Sequence, residues 1–253
     1  MLQSEIDSIG LAARGKSDLL DNHFGRYFLR SMLAGTFIVL AVLLSNVTAA
    51  ILYPTFPQFG KLAGGLLFSI AIVLIVFIGG ELFTGNNMTM AIGYFNKNVS
   101  MVSVLKVWLV SYIGNFAGCF IFGGLFILSG TCQEILADYF NSFIMGKLEA
   151  APLELFIRGI LCNFMVCLAV FVGTRMKSES GKLVVMFCVI MTFVISGFEH
   201  CVANMGIFTI AGFLMGGLPS DLLLQNFVLV TLGNIVGGAL LLGLPLKLMS
   251  TEK

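Results

Sequence analysis

The stretch GFEHCVANM (residues 197–205) places Glu199 and His200 side by side in the middle of an apolar run, residues 183–219. An ionisable side chain deep in the hydrocarbon core of a bilayer is costly, and it therefore indicates a function. We predict that the helix breaks at this pair and that His200 faces a pore.

The composition is that of an integral membrane protein. Of the 253 residues, 58% are hydrophobic and 11% are charged, whereas a soluble domain carries roughly a quarter charged residues. The net charge of +1 and the lack of a basic tract predict no nucleic-acid partner. The N-terminal residues, with Ile6 and Ile9 at roughly helical spacing among charges, predict an amphipathic helix at the membrane surface.

Six apolar runs predict an all-α protein with six transmembrane helices: 31–53, 62–95, 107–128, 159–174, 183–219 and 222–246. Two of the runs are too long for one straight helix. A helix over the 34 residues of 62–95 would extend about 51 Å, against a hydrocarbon core about 30 Å thick, and 183–219 is longer still. Division into two spans would leave halves of about 15 to 20 residues, so we predict that the second and fifth helices are single crossings with broken backbone.

The distribution of basic residues predicts the orientation. With six crossings and both termini in the cytoplasm, 11 of the 14 lysines and arginines fall inside and three fall outside. We predict a multi-pass protein of the inner (plasma) membrane. Its predicted parts are listed here: a cytoplasmic N-terminal helix (1–29), a first three-span repeat (30–128), an extracytoplasmic segment (129–157), a second three-span repeat (158–246) and a cytoplasmic tail (247–253).

An internal repeat supports this division. LVSYIGNFAG (109–118) and VLVTLGNIVG (228–237) share Gly-Asn-x-x-Gly at an offset of 119, and each broken span holds a glutamate followed by Asn-Met. An odd number of crossings per repeat inverts the second copy, and inverted repeats place the substrate path at their interface near the midplane. The repeat glycines predict close helix packing, and Asn115 and Asn234 predict hydrogen bonds between helices.

The two breaks carry the candidate chemistry. Half-helices that begin after each break point their positive dipole ends inward, which favours an anion. Ionised Glu81 and Glu199 would repel that anion, so we predict that they turn away and accept free backbone N–H groups of the broken segments. His200 then faces the lumen as a hydrogen-bond or proton donor. Thr84 offers a hydroxyl in the other break or packs there, and Lys147 draws anions to the pore or is an ordinary solvated lysine.

GELFTGNNM (80–88), FEHCVANM (198–205) and the doubled Gly-Asn-x-x-Gly resemble the formate/nitrite transporter family over about residues 20–246. The resemblance implies an aquaporin-like fold, a homopentamer with one pore in each protomer, and a place most like the hydrosulfide channel branch. It also implies the following site residues: Leu82, Phe83 and Thr84 in the first break, His200 and Glu199 in the second, Lys147 and Asn163 near the pore, Phe68, Ile72 and Phe193 at an outer constriction, Leu82 with Val202 at an inner one, and Lys16 in gating.

The predicted function is a selective channel for small monovalent conjugate bases of weak acids: hydrosulfide or formate, and also nitrite. Passage of the bare anion and proton-coupled transport of formate or nitrite both remain open. An aquaporin-type channel for neutral solutes is disfavoured, because no proline follows an asparagine. With two histidines and scattered cysteines, we predict no catalytic residue, no metal, no cofactor and no enzyme. The expected partners are the anion and membrane lipid.

Overall fold

A computed structural model describes residues 3–251 as an all-α protein. Leu2 and Lys253, at the ends of the predicted N-terminal helix and tail, lie outside the described residues. The helices are α1 Gln3–Asn22, α2 Phe24–Leu52, α3 Pro57–Phe68, α4 Ile70–Ile78, α5 Phe83–Phe95, α6 Met101–Leu128, α7 Gln133–Asn141, α8 Ile144–Leu148, α9 Pro152–Arg175, α10 Glu179–Ile195, α11 Cys201–Leu214, α12 Ser220–Ile235, a π-helical stretch Val236–Gly243, and α13 Leu244–Leu248.

Both predicted helix breaks are confirmed. The chain leaves the helix at Gly79, which adopts a φ of 86°, and re-enters it at Phe83; in the second half it leaves near Gly197, with a φ of 73°, and re-enters at Cys201. Only glycine adopts such left-handed backbone without a steric penalty, so these residues end the helix where the run of apolar side chains would otherwise continue it.

Within residues 3–251, five helical segments are long and apolar enough to cross a bilayer: Phe24–Leu52, Pro57–Ile78, Met101–Leu128, Pro152–Arg175 and Ser220–Leu248. The predicted fifth crossing consists of α10 and α11, with 17 and 14 residues, each shorter than the about 20 residues that a full span needs. The count of six crossings therefore stays a prediction. So does the division into five parts, whose boundaries near residues 29, 157 and 246 fall inside α2, α9 and α13.

The two halves pack in the same way. Gly118 lies so close to α2 that a Cβ there would be 1.9 Å from the Met32 carbonyl oxygen, and a Cβ on Gly237 would be 2.1 Å from the Ile160 carbonyl oxygen of α9. This confirms the close packing predicted for the repeat glycines. The helices α6 and α12 begin 119 residues apart, and the hydroxyls of Tyr112 and Thr231, also 119 apart, lie 3.1 Å from each other.

The N-terminal helix packs against protein rather than only against a membrane surface. The predicted helix is present as α1, but Ile6, Ala13 and Leu20 on its apolar face are buried against neighbouring helices. The fit depends on small residues: the position of a Cβ on Gly93 of α5 lies 2.4 Å from the Ala13 side chain. The prediction of a surface helix was incomplete because the sequence does not reveal this matching small-residue face on α5.

Candidate functional site at the two helix breaks

The breaks of the two halves meet through their side chains. Thr84, in the first turn of α5, has its Oγ1 3.0 Å from Nε2 of His200, which is the N-cap residue of α11. Both side chains are buried, His200 with 3% of its surface exposed. The structure therefore brings together these two predicted site residues, which are 116 positions apart in the chain.

The other ring nitrogen defines the protonation of His200. Nδ1 accepts a hydrogen bond from the backbone N–H of Ala203 at 3.0 Å. A backbone N–H can only donate, so Nδ1 carries no proton in this arrangement, and a neutral imidazole must carry its proton on Nε2. His200 is thus a donor to the Thr84 hydroxyl, and a second proton on Nδ1 would require the bond to Ala203 to break.

Two asparagines hold the broken backbone in shape. Asn115 Oδ1 accepts from the N–H of Phe83, and Asn234 Oδ1 accepts from the N–H of Cys201, both at 2.9 Å. Each asparagine also donates from Nδ2 to the carbonyl of the glutamate in its own half, at 3.0 Å for Glu81 and 2.9 Å for Glu199. These bonds confirm the interhelical role predicted for the asparagines.

The hydrogen-bond partners predicted for the two carboxylates were wrong. Glu81 and Glu199 accept hydrogen bonds from side chains, whereas the N–H groups that begin the two half-helices donate to the asparagines described above. Glu81 Oε2 lies 2.6 Å from Lys16 Nζ, and Glu199 Oε2 lies 2.6 Å from Lys147 Nζ. The physical reason is that a buried carboxylate needs a compensating cation, which an N–H group does not supply.

Three cavities follow one another through the protein. A central chamber of about 10 Å³, room for roughly one water molecule, is lined by His200 and apolar side chains only. On one side it shares Phe68, Phe193 and His200 with a cavity of about 540 Å³, here called the Lys147 cavity. On the other side it shares Ile75 and Leu82 with a second cavity of about 540 Å³, here called the Lys16 cavity.

The two large cavities are cationic. The Lys147 cavity is lined by one carboxylate, Glu199, and three cations, namely Lys61, Lys147 and Arg158. The Lys16 cavity is lined by two carboxylates and three cations. Both therefore have an excess of positive charge even when each buried glutamate is counted, and this favours anions over cations at either mouth.

Apolar constrictions separate the two large cavities from the central chamber. The rings of Phe68 and Phe193 pack edge to face with centroids 5.8 Å apart, and Phe193 stacks on His200 at 6.1 Å. Leu82, the N-cap residue of α5, lies between the chamber and the Lys16 cavity. An ion on this route would meet an apolar constriction on each side of the imidazole.

Comparison with known proteins identifies the family. The model of the formate/nitrite transporter family matches residues 5–248. The chain belongs to the formate/nitrite transporter family. Members of this family are transporters or channels rather than enzymes, and the chain is a multi-pass membrane protein.

Individual relatives agree with the family assignment. The chain is 34% identical over 239 residues to the formate channel FocA of Haemophilus influenzae, covering 85% of this chain and 84% of that protein. The solved structure of an FNT family ion channel matches with a TM-score of 0.90 and 26% identity, over 99% of this chain and 100% of the other. A pentameric formate channel with formate bound matches with a TM-score of 0.76 and 28% identity, over 88% and 96%.

Not every residue predicted from the family resemblance lines a cavity. Ile72 lines the central chamber, but Phe83, Val202, Asn163 and Thr84 line none of the three cavities. Phe83 packs against Tyr112, with ring centroids 5.0 Å apart. Asn163 donates from Nδ2 to the Thr84 carbonyl at 3.2 Å, which holds the backbone of the first break.

Other residues of the site were not foreseen from the sequence. The Tyr27 hydroxyl and Asn86 Nδ2 donate to Glu81 Oε2 at 3.3 and 3.2 Å. Asn204 Nδ2 donates to Glu199 Oε2 and to Asn226 Oδ1, both at 2.8 Å. The Asn-Met pairs that mark the repeat are a sequence signal for two of them: Asn204 belongs to the second pair, and Asn86 directly precedes the first. The signal for Asn226 is weaker, because it is one of several polar residues in the mostly apolar helix α12.

Proposed function

We propose that this protein is a selective channel for small monovalent anions that are conjugate bases of weak acids, with the permeant path running through each protomer past His200. The observation that carries the proposal is the order of the three cavities. Two large cationic cavities flank a chamber of about 10 Å³ whose one polar side chain is His200. A conduit of this kind attracts anions at both ends and admits only small ones at the middle.

The main energetic cost for the anion is the loss of its water at the two apolar constrictions. Transfer of a bare ion to a low-dielectric interior costs several kcal/mol even after relaxation. In the proposed mechanism, Lys147 and Lys16 attract the anion, and Phe68 and Phe193 on one side and Leu82 on the other remove most of its water. His200 then replaces part of the lost hydration by sharing with the ion the Nε2–H that it otherwise donates to Thr84. Asn163 holds Thr84 in place by donating a hydrogen bond to the backbone carbonyl of Thr84.

The buried glutamates fit an anion path because each is neutralised. An unpaired carboxylate beside the conduit would repel the permeant, but Glu81 and Glu199 each lie 2.6 Å from a lysine ammonium. The pairing also limits how tightly either lysine holds an anion. Weak binding at the mouths is what conduction requires, since an ion that enters must also leave.

The proposed substrates are formate and hydrosulfide, with nitrite as a third. Formate is supported by the relatives named above, which include a formate channel and a formate-bound structure. Hydrosulfide is proposed for its small size and from the resemblance of the sequence motifs. Uptake of all three by proteoliposomes, at equal concentration and under one membrane potential, ranks them directly.

The donor geometry favours passage of the anion itself over proton-coupled transport of formate or nitrite. With Nδ1 occupied by the Ala203 N–H, His200 offers one ring proton, already shared with Thr84. Flux measured over a pH series for wild type and His200→Asn tests this. We expect lower flux in His200→Asn with the pH dependence unchanged; a pH dependence that changes with the substitution would instead establish a proton role.

We further propose a homopentamer with both termini in the cytoplasm. A pentamer is supported by the pentameric formate channel to which the chain is similar. The orientation is supported by the excess of lysine and arginine in the segments assigned to the inside. In this orientation the Lys16 cavity opens to the cytoplasm under α1, where Lys16 is suited to a part in gating. Cross-linking of purified protein and labelling of single cysteines from either side test the two proposals separately.

A further inference from the structure

Asn226 is a fully buried polar residue on α12, in a helix that is otherwise mostly apolar. Its Oδ1 accepts from Asn204 Nδ2 at 2.8 Å, and its Nδ2 points to the Lys147 carbonyl oxygen at 3.5 Å. This orientation of the amide is fixed by its partners, because the reverse would place two NH₂ groups face to face. A buried amide with both ends engaged has a specific structural or functional task.

The bonds of Asn226 complete a closed ring. Asn204 Nδ2 also donates to Glu199 Oε2 at 2.8 Å, and the same oxygen lies 2.6 Å from Lys147 Nζ. The ring therefore runs from the Lys147 ammonium through Glu199, Asn204 and Asn226 to the Lys147 backbone. It joins α8, the second helix break, α11 and α12, and it holds both ends of one lysine.

The first half of the protein lacks this residue. At the repeat offset of 119, the position that corresponds to Asn226 is Val107, which is also fully buried. The amide that corresponds to Asn204 is Asn86, since each lies five residues after the glutamate of its break, and the Tyr27 hydroxyl is the second partner of Asn86, at 3.0 Å. The packing of the repeat thus accepts an apolar side chain at this position, so an asparagine at 226 has a role peculiar to the half that carries Lys147.

We propose that Asn226 is a positioning residue for anion entry: it fixes α8 and Glu199 relative to each other, and so sets where the Lys147 ammonium stands in the Lys147 cavity. This rests on the proposed function. The helix α8 has five residues, and among residues 3–251 the hydrogen bonds that involve a side chain and link it to other elements are the two at Lys147, to Glu199 and from Asn226. Without Asn226, α8 and the Lys147 ammonium sample more positions. The ammonium is then less often placed to bind an entering anion, so the anion binds more weakly.

A matched pair of variants isolates the hydrogen bond. Asn226→Thr keeps a hydroxyl that can accept from Asn204 and donate towards the Lys147 carbonyl, whereas Asn226→Val has the same shape as threonine without the hydroxyl. We expect Asn226→Val to raise the half-saturating formate concentration about three- to tenfold with maximal flux nearly unchanged, and Asn226→Thr to stay within about twofold of wild type. Thr231→Val, which removes a hydroxyl from the same helix at its contact with Tyr112, is the control and should leave the half-saturating concentration unchanged.

Hydrogen exchange gives a readout that does not depend on transport. The N–H groups of Lys147 and Glu149 are bonded within the α8 segment, and their exchange should be faster in Asn226→Val than in Asn226→Thr or wild type. If Asn226→Val yields no folded protein, Asn226→Ala and Asn226→Ser form a second pair with the same expectation.

The outcomes separate the two proposals. A folded Asn226→Val with wild-type half-saturation, or with reduced maximal flux alone, would overturn the positioning role while leaving the channel intact. Faster exchange without any change in half-saturation would reduce Asn226 to a structural residue and overturn it as well. A wild-type protein that passes none of the three anions would refute the proposed function itself, and exchange alone would then decide whether Asn226 holds α8.

Discussion

Asn234→Ala removes the side chain that holds the second helix break, and the structure allows its cost to be worked out. The side chain makes three buried hydrogen bonds: from the Cys201 N–H at 2.9 Å, to the Gly159 carbonyl at 2.8 Å and to the Glu199 carbonyl at 2.9 Å. Each such bond contributes about 0.5–1.5 kcal/mol net, and groups left unpaired in a buried place add to the loss. We therefore expect a loss of about 3 kcal/mol in the free energy of unfolding.

For a chain of this size, about 1 kcal/mol corresponds to a shift of about 2–4 °C in the melting temperature, so Asn234→Ala should melt about 6–12 °C below wild type. Circular dichroism of the purified protein in one detergent measures this. Asn115→Ala should lose a similar amount, because it makes the equivalent three bonds to Phe83, Ser31 and Glu81.

The control is Asn46→Ala, whose amide has one hydrogen-bond partner within residues 3–251, the carbonyl of Val42 in its own helix at 2.8 Å. It should shift the melting temperature by no more than about 2–4 °C. If Asn234→Ala and Asn46→Ala melt together, the reasoning that the breaks depend on these asparagine bonds is refuted. If only Asn115→Ala is costly, the two halves are not equivalent in the way the geometry indicates.

Lys147→Gln leaves the Glu199 carboxylate beside the conduit without its cation, so anion flux into liposomes should fall at least about tenfold, and the added Glu199→Gln should restore part of it. Gly118→Ala would place a Cβ 1.9 Å from a carbonyl oxygen of α2, so the melting temperature and yield should fall sharply, whereas Gly124→Ala, with nothing within 4 Å, should change neither. Hydrogen bonds from side-chain amides of α1 and of the loop after α5 hold the pKa of Asp7 below its ordinary value of 3.8. The contribution of ionised Asp7 to the docking of α1 is therefore present above pH 3.8 and is lost as the pH falls through the lower folded-state pKa. Proteolysis of α1 over a pH series should show this loss in wild type and not in Asp7→Asn.

Much of the fold could be predicted because it follows from length and spacing. A bilayer sets the length of a helix, so a largely apolar run of 34 residues that contains Gly79 and Glu81 must break or leave the membrane. Two glycines four residues apart on a predicted span indicate close packing whatever the partner helix is. These rules act along the chain, and the structure agrees with them in both halves.

The partners of the site could not be predicted in the same way. Lys16 and Glu81 are 65 residues apart, and Lys147 and Glu199 are 52 apart. No local rule joins them, since the pairing exists only after α1 and α8 have packed over the breaks. The sequence shows that a buried carboxylate needs a partner; which residue neutralises it depends on tertiary structure, and the prediction of backbone N–H partners failed for that reason.

The inverted repeat explains why one imidazole is enough for the proposed channel. Leu82 and His200 are the N-cap residues of the two half-helices and stand at equivalent places, each one residue after the glutamate of its break. A histidine at both places would put two polar groups beside a chamber of about 10 Å³, where a small anion would be held by both and would leave slowly. A leucine at both places would leave the anion without a donor inside an apolar passage. The equivalent asparagines and ion pairs hold both breaks in the same way, and in the proposed channel the difference between leucine and histidine at one position lets the anion bind at the chamber and still leave it.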